Sequence, residues 1–316
     1  MTVTEQSGAA PVATRQRHLG RGLAWAVLSA AAFGLSGPLA KSLLEIGWSP
    51  GAVVLVRIGG AFAALLIPCL LLLRRSGRPT GRQSRRMVAY GVVAVALAQL
   101  CYFSAVQYLS VGVALLLEYL APVLLIGYSW IRTQRRPALP VFIGAALAMA
   151  GMVLVLDIVH GFSLSPIGVL YGLGAAVCLS VYFVLSDDAS SGASIPPLLM
   201  TTVGTGVGAT VLLLAGALGV IPMTFRFGGT VLAGFDVSWL VPIVLLILVT
   251  AALAYVTGIV AVRRLGTSIA SFVALSEVLF AVTFAALLLG QHITLLQAVG
   301  GVLVLTGIAT VQRKAR

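Results

Sequence analysis

The feature that most constrains this chain is a succession of apolar stretches, each long enough to cross a bilayer as a helix, which takes about 20 residues. Windows of that length mark ten segments: 21–45, 51–73, 87–108, 111–131, 138–157, 164–186, 196–220, 238–262, 266–289 and 292–311. Hydrocarbon offers no partner for a backbone N–H or C=O, so only helices and closed barrels span it. No stretch alternates apolar and polar residues as a barrel strand does. The fold class is therefore read as an all-α membrane protein with ten transmembrane helices. Only 9% of the 316 residues are charged, against about a quarter in a soluble domain. So few charges cannot coat a water-facing surface of this size.

Charge then sets the orientation. The formal net charge is +12. With ten spans, 17 of the 20 basic residues fall on one side: Arg15, Arg17 and Arg21; Arg74, Arg75, Arg78, Arg82, Arg85 and Arg86; Arg132, Arg135 and Arg136; Arg263 and Arg264; Arg313, Lys314 and Arg316. Only Arg226 lies in a loop on the other side, and Lys41 and Arg57 lie within segments. Cytoplasmic loops collect Lys and Arg. The pattern predicts both termini in the cytoplasm, an even number of spans and a multi-pass inner-membrane protein. It is a topology signal rather than a nucleic-acid footprint, so no nucleic-acid partner is expected.

Other residues fit this frame. Trp25, Trp48, Trp130 and Trp239 each fall near a segment end, where an amphipathic ring sits at the headgroups. Cys69, Cys101 and Cys178 fall inside apolar segments at no zinc-type spacing and read as small core residues. Residues 1–20 are polar and small and read as a disordered cytoplasmic tail, with 312–316 as a second one. The loops at 74–86 and 221–237 are the longest hydrophilic stretches.

The two halves resemble each other. Adding 156 to positions from 109 to 153 places Leu109 on Leu265, Ala114 on Ala270, Gly144 on Gly300 and Gly151 on Gly307. The first segment matches the sixth at an offset of 146, with Trp25 on Tyr171 and Ala30 on Ala176. Five helices thus recur, over 21–157 and 164–311. An odd number per repeat forces the second copy to enter from the opposite side. Inverted repeats of this kind build transporters, with the substrate site at the midplane between them. Gly144 and Gly151 share a helix face, as do Gly300 and Gly307, and small residues on one face let helices approach closely in lipid.

Particular runs resemble a known family. Phe33-Gly34-Leu35-Ser36-Gly37-Pro38-Leu39-Ala40-Lys41, followed by Ser49-Pro50 and Arg57, resembles the start of an EamA-type repeat of the drug/metabolite transporter superfamily. Tyr119-Leu120-Ala121-Pro122-Val123 does so on the fourth segment. Leu275-Ser276-Glu277-Val278-Leu279-Phe280, Leu289-Gly290-Gln291 and the Gly-rich tenth segment do so in the second half. The resemblance spans roughly 22–311. It implies a ten-helix inverted-repeat bundle around a central cavity, and often export of amino acids or other metabolites. Many members carry Glu where this chain has Gln291, so a role for that carboxylate does not carry over.

A charge at the bilayer centre costs about 2.5–3.5 kcal/mol on insertion scales and marks function or a structural lock. Glu118 is about two turns into the fourth segment and Glu277 about three turns into the ninth. Under the repeat alignment Glu277 corresponds to Ala121, three residues from position 118 and so on the same helix face. Each half is expected to present one carboxylate to the cavity, to bind a substrate amino group or to exchange protons; the structural alternative is two carboxyls that lock helices together. Tyr102, Tyr182 and Ser271 are further candidate lining residues, with Gln99 and Tyr255 also polar within segments. Lys41 and Glu45, one turn apart, read either as an ion pair, with Arg57 bonded to helix-end carbonyls, or, with Arg57, as an external-side gate or a site for a substrate carboxylate. Gly34, Gly37 and Pro38 predict a bend in the first helix.

No Ser–His–Asp set, histidine cluster or phosphate loop appears, so the chain reads as a non-enzyme without cofactor or metal. Its expected partners are a small-molecule substrate, exchanged protons and the bilayer. The reading is a secondary transporter, an exporter of amino acids or related compounds working by alternating access. Glu118 and Glu277 suit an organic-cation efflux pump equally, and a non-transporting membrane protein is the remaining alternative.

Overall fold

The computed structural model describes residues 10–76, 79–109, 111–134, 136–155, 165–187, 195–290 and 294–314. Ten helical segments follow one another, several of them interrupted. The first comprises α1 (Ala10–Gly34) and α2 (Ser36–Glu45), and the second is α3 (Pro50–Ser76). The third comprises α4 (Gly81–Ala89), a π-helical stretch Tyr90–Leu97 and α5 (Ala98–Tyr108). The fourth splits into α6 (Val111–Glu118) and α7 (Ala121–Thr133), and the fifth is α8 (Leu139–Val155). The sixth and seventh are α9 (Pro166–Ser186) and α10 (Pro197–Ala217). The eighth comprises α11 (Leu240–Ile247), a π-helical stretch Leu248–Leu253 and α12 (Ala254–Leu265). The ninth splits into α13 (Thr267–Ala274) and α14 (Ser276–Leu289), and the tenth is α15 (Leu295–Lys314). Seven of these segments are long and apolar enough to cross a membrane by themselves, and the fifth and tenth are shorter apolar helices.

Two expectations need correction. The tail expected to be disordered through residue 20 is helical from Ala10. The first helix continues past the apolar stretch, which keeps its backbone groups paired as it leaves the bilayer. The stretch expected as a plain loop at 221–237 contains a hairpin, β1 (Gly229–Leu232) paired antiparallel with β2 (Phe235–Ser238). Its two turn residues, Ala233 and Gly234, have φ of 52° and 80°, the paired positive φ of a two-residue turn that matches strand twist.

Each break has a local cause. Pro38 has no N–H to give the Gly34 carbonyl, and Pro122 none for the Glu118 carbonyl; α1 and α6 end at those carbonyls. In the ninth segment the Ser276 hydroxyl donates to the Val273 carbonyl at 2.6 Å, a side-chain bond that competes with the helix ladder. The π-helical stretches are repeat-related: adding 156 carries Tyr90–Leu97 onto 246–253, overlapping Leu248–Leu253.

Glycines set the closest helix contact. A Cβ on Gly144 would stand 2.7 Å from the Gly307 carbonyl oxygen, and one on Gly151 would stand 2.6 Å from that of Gly300. The reciprocal contacts exist from Gly307 and Gly300. Gly144 faces Gly307 while Gly151 faces Gly300, so α8 and α15 run antiparallel. The last helices of the two halves thus pack about a pseudo-two-fold, the relation that inverted repeats require.

Candidate functional site

Between the halves lies a cavity of ≈ 550 Å³. Its wall is mostly small and apolar, with Ala26, Ala30, Ala94, Ala98, Ala270 and Ala274 among the lining residues. Into it project Glu118 from the end of α6, Glu277 from the first turn of α14, and Arg57 from α3. The helix breaks put the carboxylates there. In an unbroken helix Glu118 and Tyr119 would diverge by about 100°, yet with α6 ending at Glu118 both reach the cavity. Tyr119 and Glu277 both line the cavity, so the fourth segment meets the ninth there. On the ninth segment's other side, Gly34 lets α1 press against the chain: a Cβ there would lie 2.8 Å from the Glu277 carbonyl oxygen.

Arg57 is 9% exposed. One guanidinium nitrogen donates to the Thr250 carbonyl at 2.7 Å, a carbonyl within the π-helical stretch of the eighth segment, where irregular winding re-aims backbone groups. The Phe33 ring lies 5.7 Å from Arg57 Cζ, within cation–π range. Arg57 Nε has no hydrogen-bond partner among the described residues. Phe33 meets Tyr255 edge-on at 5.1 Å, Tyr255 meets Tyr182 at 6.3 Å, and Tyr182 meets Tyr90 at 5.8 Å. These rings form a continuous run, of which Phe33, Tyr255 and Tyr182 floor the cavity beside Gln99.

The cavity is asymmetric along its length. Its exposed lining residues, Gly37, Lys41, Leu44 and Pro50, all sit at the end that carries the hairpin. Toward the opposite end the lining is buried: Ala26, Ser29, Ala261, Val262 and Ala270. There the Ser29 hydroxyl donates to the Ala254 carbonyl at 2.8 Å, joining α1 to α12. Arg86 donates to the Leu185 carbonyl at 2.6 Å and to that of Asp187, and Arg263 Nε donates to the Ser186 carbonyl at 3.4 Å. Two cations thus cap the C-terminal carbonyls of α9, where a helix dipole favours positive charge. At the hairpin end, Trp48 Nε1 donates to the Arg226 carbonyl. The Thr230 hydroxyl donates to the Ser42 carbonyl, and the Ala233 amide to that of Leu288, at 2.8 and 2.7 Å.

Of the residues singled out in the sequence, Glu118, Glu277, Tyr102, Tyr182, Lys41 and Arg57 line the cavity. Ser271 does not; its hydroxyl donates to the Ser268 carbonyl one turn back, at 2.9 Å. Glu45 stands outside it, paired with Lys41 at 3.9 Å with both side chains about half exposed, a pair worth at most about 1 kcal/mol. Gln291 and His292 lie outside the described residues, as do Asp157, His160 and Asp188. Sequence reasoning had not placed Phe33, Tyr119, Gln99 and Tyr255 at the site. Gln99 and Tyr255 carried a signal as polar groups within apolar segments; Tyr119 stood in a quoted motif that said nothing of where its ring points, because that depends on the break beside it.

Two five-helix halves enclosing a cavity with charged groups in a largely apolar wall define a multi-pass membrane protein of the transporter type. The chain belongs to the EamA-like transporter family, whose family model matches residues 20–157 and again 166–312, in line with its resemblance to drug/metabolite transporters. It is 27% identical over 280 residues to an uncharacterized transporter of Archaeoglobus fulgidus, covering 89% of this chain and 93% of that one. A protein of known crystal structure matches it with a TM-score of 0.73 at 20% identity, over 93% of this chain and 99% of its own. At that identity the match speaks to the fold.

Proposed function

We propose that the protein is a secondary transporter that exports amino acids or closely related zwitterions by alternating access, with repeats at 21–157 and 164–311 as the moving halves. The observation that carries this reading is the charge set of one cavity: two carboxylates, Glu118 and Glu277, and a buried guanidinium whose Nε has no partner among the described residues. A buried donor without an acceptor is costly, and a substrate carboxylate supplies the acceptor. The carboxylates meet the ammonium group or exchange protons, so the driving force is the substrate gradient or a proton gradient. The two stretches matched by the family model support the division into repeats.

Orientation follows from the basic residues. The end where Arg86 and Arg263 cap α9 is the cytoplasmic one by the positive-inside rule, with both termini there and the hairpin outside an inner membrane. The cavity, whose exposed lining lies at the hairpin end, is then in its outward-facing state, the state from which an exporter releases substrate.

Equilibrium binding of labelled amino acids to purified protein tests the reading. The wild type binds, and Arg57→Gln loses binding by about tenfold or more, the equivalent of at least 1.4 kcal/mol for one charged hydrogen bond. The aromatic floor and paired carboxylates also suit organic cations, which have no use for Arg57. Binding of organic cations but not amino acids, unchanged in Arg57→Gln, would replace the zwitterion assignment with cation efflux.

A further inference from the structure

Two of the three cysteines, distant in sequence, meet in the fold. Cys101 lies on α5 and Cys178 on α9, and the seam between these two helices turns them toward each other. The contact follows from the register of two antiparallel helices. Tyr108 of α5 stacks on Tyr171 of α9 with ring centroids 6.3 Å apart. Seven residues before Tyr108 is Cys101, and seven after Tyr171 is Cys178; seven residues make two turns, so the cysteines face each other across the same seam. Gly174, one turn before Cys178, fixes the approach independently: Cys101 Sγ lies 3.2 Å from where a Cβ on Gly174 would stand. Cys178 is buried, Cys101 is half-buried, and both are free thiols. Tyr102 and Leu179, the residues that follow the two cysteines along their helices, line the cavity, so the pair lies close to its wall.

Two opposed thiols form a two-sulfur donor set. Among the described residues no three His, Cys, Asp or Glu side chains converge to hold a metal, so the donor set these residues offer is the two sulfurs. Zinc takes four, whereas thiolates select soft ions such as Cu(I). We propose that Cys101 and Cys178 form a site for a soft monovalent d10 cation of the Cu(I) and Ag(I) class, held between α5 and α9. The ion forms two metal–sulfur bonds, and one S–H bond breaks with its proton released to water. The product is a neutral thiolate–metal–thiol bridge: one positive charge enters, one leaves, and no net charge is buried in the bilayer. No redox change is involved. The occupied site cross-links the third helical segment to the sixth, and so the first half to the second.

The probe is Ag(I), which is redox-inert at a thiol pair. Purified full-length protein in detergent is loaded with Ag(I), desalted against excess methionine as a weak competitor, and its bound silver measured. Wild type and Cys69→Ser are expected to retain a single silver ion per chain. Cys101→Ser and Cys178→Ser are expected to lose retention by about tenfold or more, since even a contact that only supports a ligand is worth that much. A second readout uses wild type alone and needs no variant to fold: Ag(I) slows maleimide labelling of Cys101. Silver retained equally by either Ser variant, no retention by wild type, or unchanged maleimide labelling would overturn the proposal. So would a Cys101–Cys178 disulfide in protein purified without reductant, which would make the pair a redox couple instead.

Discussion

Replacing Gly151 by alanine puts a methyl group where α8 and α15 have no room for one. The new Cβ would stand 2.6 Å from both the Gly300 carbonyl oxygen and the Val304 amide nitrogen, and 2.9 Å from Leu303 Cβ. Two of these neighbours are helix backbone and cannot rotate away, so α15 must retreat. Reaching an ordinary contact of 3.4 Å requires a shift of about 0.8 Å, which also loosens the neighbouring glycine contacts, since attraction is lost steeply over a gap of that size. Overpacking of this kind costs about 1–3 kcal/mol. In a chain of this size that lowers the melting temperature by a few degrees, at about 2–4 °C per kcal/mol. The same retreat relieves the clash at Gly300, whose added Cβ would stand 2.6 Å from the Gly151 carbonyl oxygen. Gly151→Ala combined with Gly300→Ala should therefore cost less than the sum of the single changes. Gly127 on α7 has nothing within 4 Å of its added Cβ, so Gly127→Ala is the control and should melt at or above the wild-type temperature. Thermal unfolding in detergent, followed by tryptophan fluorescence, reads the wild type, both single variants, the double variant and the control. A Gly151→Ala protein that melts with wild type, or a double variant whose cost is fully additive, would refute the packing argument.

Two further perturbations address the ends of the cavity. Ala233 holds a left-handed φ of 52° at a cost of about 1–2 kcal/mol for a residue with a Cβ, so Ala233→Gly should slow amide hydrogen exchange in the hairpin, and faster exchange would contradict the strain assignment. Arg86→Met removes donors to the Leu185 and Asp187 carbonyls and should cost about 2 kcal/mol or more; an unchanged melting temperature would show that the cap on α9 carries no load.

What the sequence revealed, and what it hid, follow from the range of the interactions involved. The ten segments were legible because hydrocarbon imposes a length and disfavours charge, a rule that each stretch of sequence answers locally. The bend in the first segment was legible from Pro38. Pro122 carries the same chemistry, yet it stands in a quoted motif, and only the fold shows that α6 stops at the carbonyl it fails to satisfy. The break in the ninth segment rests on the Ser276 hydroxyl finding the Val273 carbonyl, a rotamer choice with no sequence signature. Those two breaks decide which way Glu118, Tyr119 and Glu277 point, so the carboxylates could be assigned to the cavity from their charge but Tyr119 could not. Ser271 shows the opposite error: a hydroxyl within an apolar helix usually satisfies itself on its own backbone, as this one does. The hairpin strands are four residues each, too short for alternation to stand out beside segments of about 20. The meeting of Cys101 with Cys178 depends on a helix–helix register that spacing along the chain does not encode.

Counterflow in proteoliposomes tests the central claim most directly. Vesicles preloaded with pooled unlabelled amino acids are diluted into labelled ones, with wild type and the Glu118→Gln, Glu277→Gln double variant side by side. The account predicts transient accumulation of label by the wild type and its loss in the double variant, with both proteins folded by size-exclusion elution. Equal accumulation by both would remove the carboxylates from the mechanism, and no accumulation by the wild type from any pool would contradict amino-acid export.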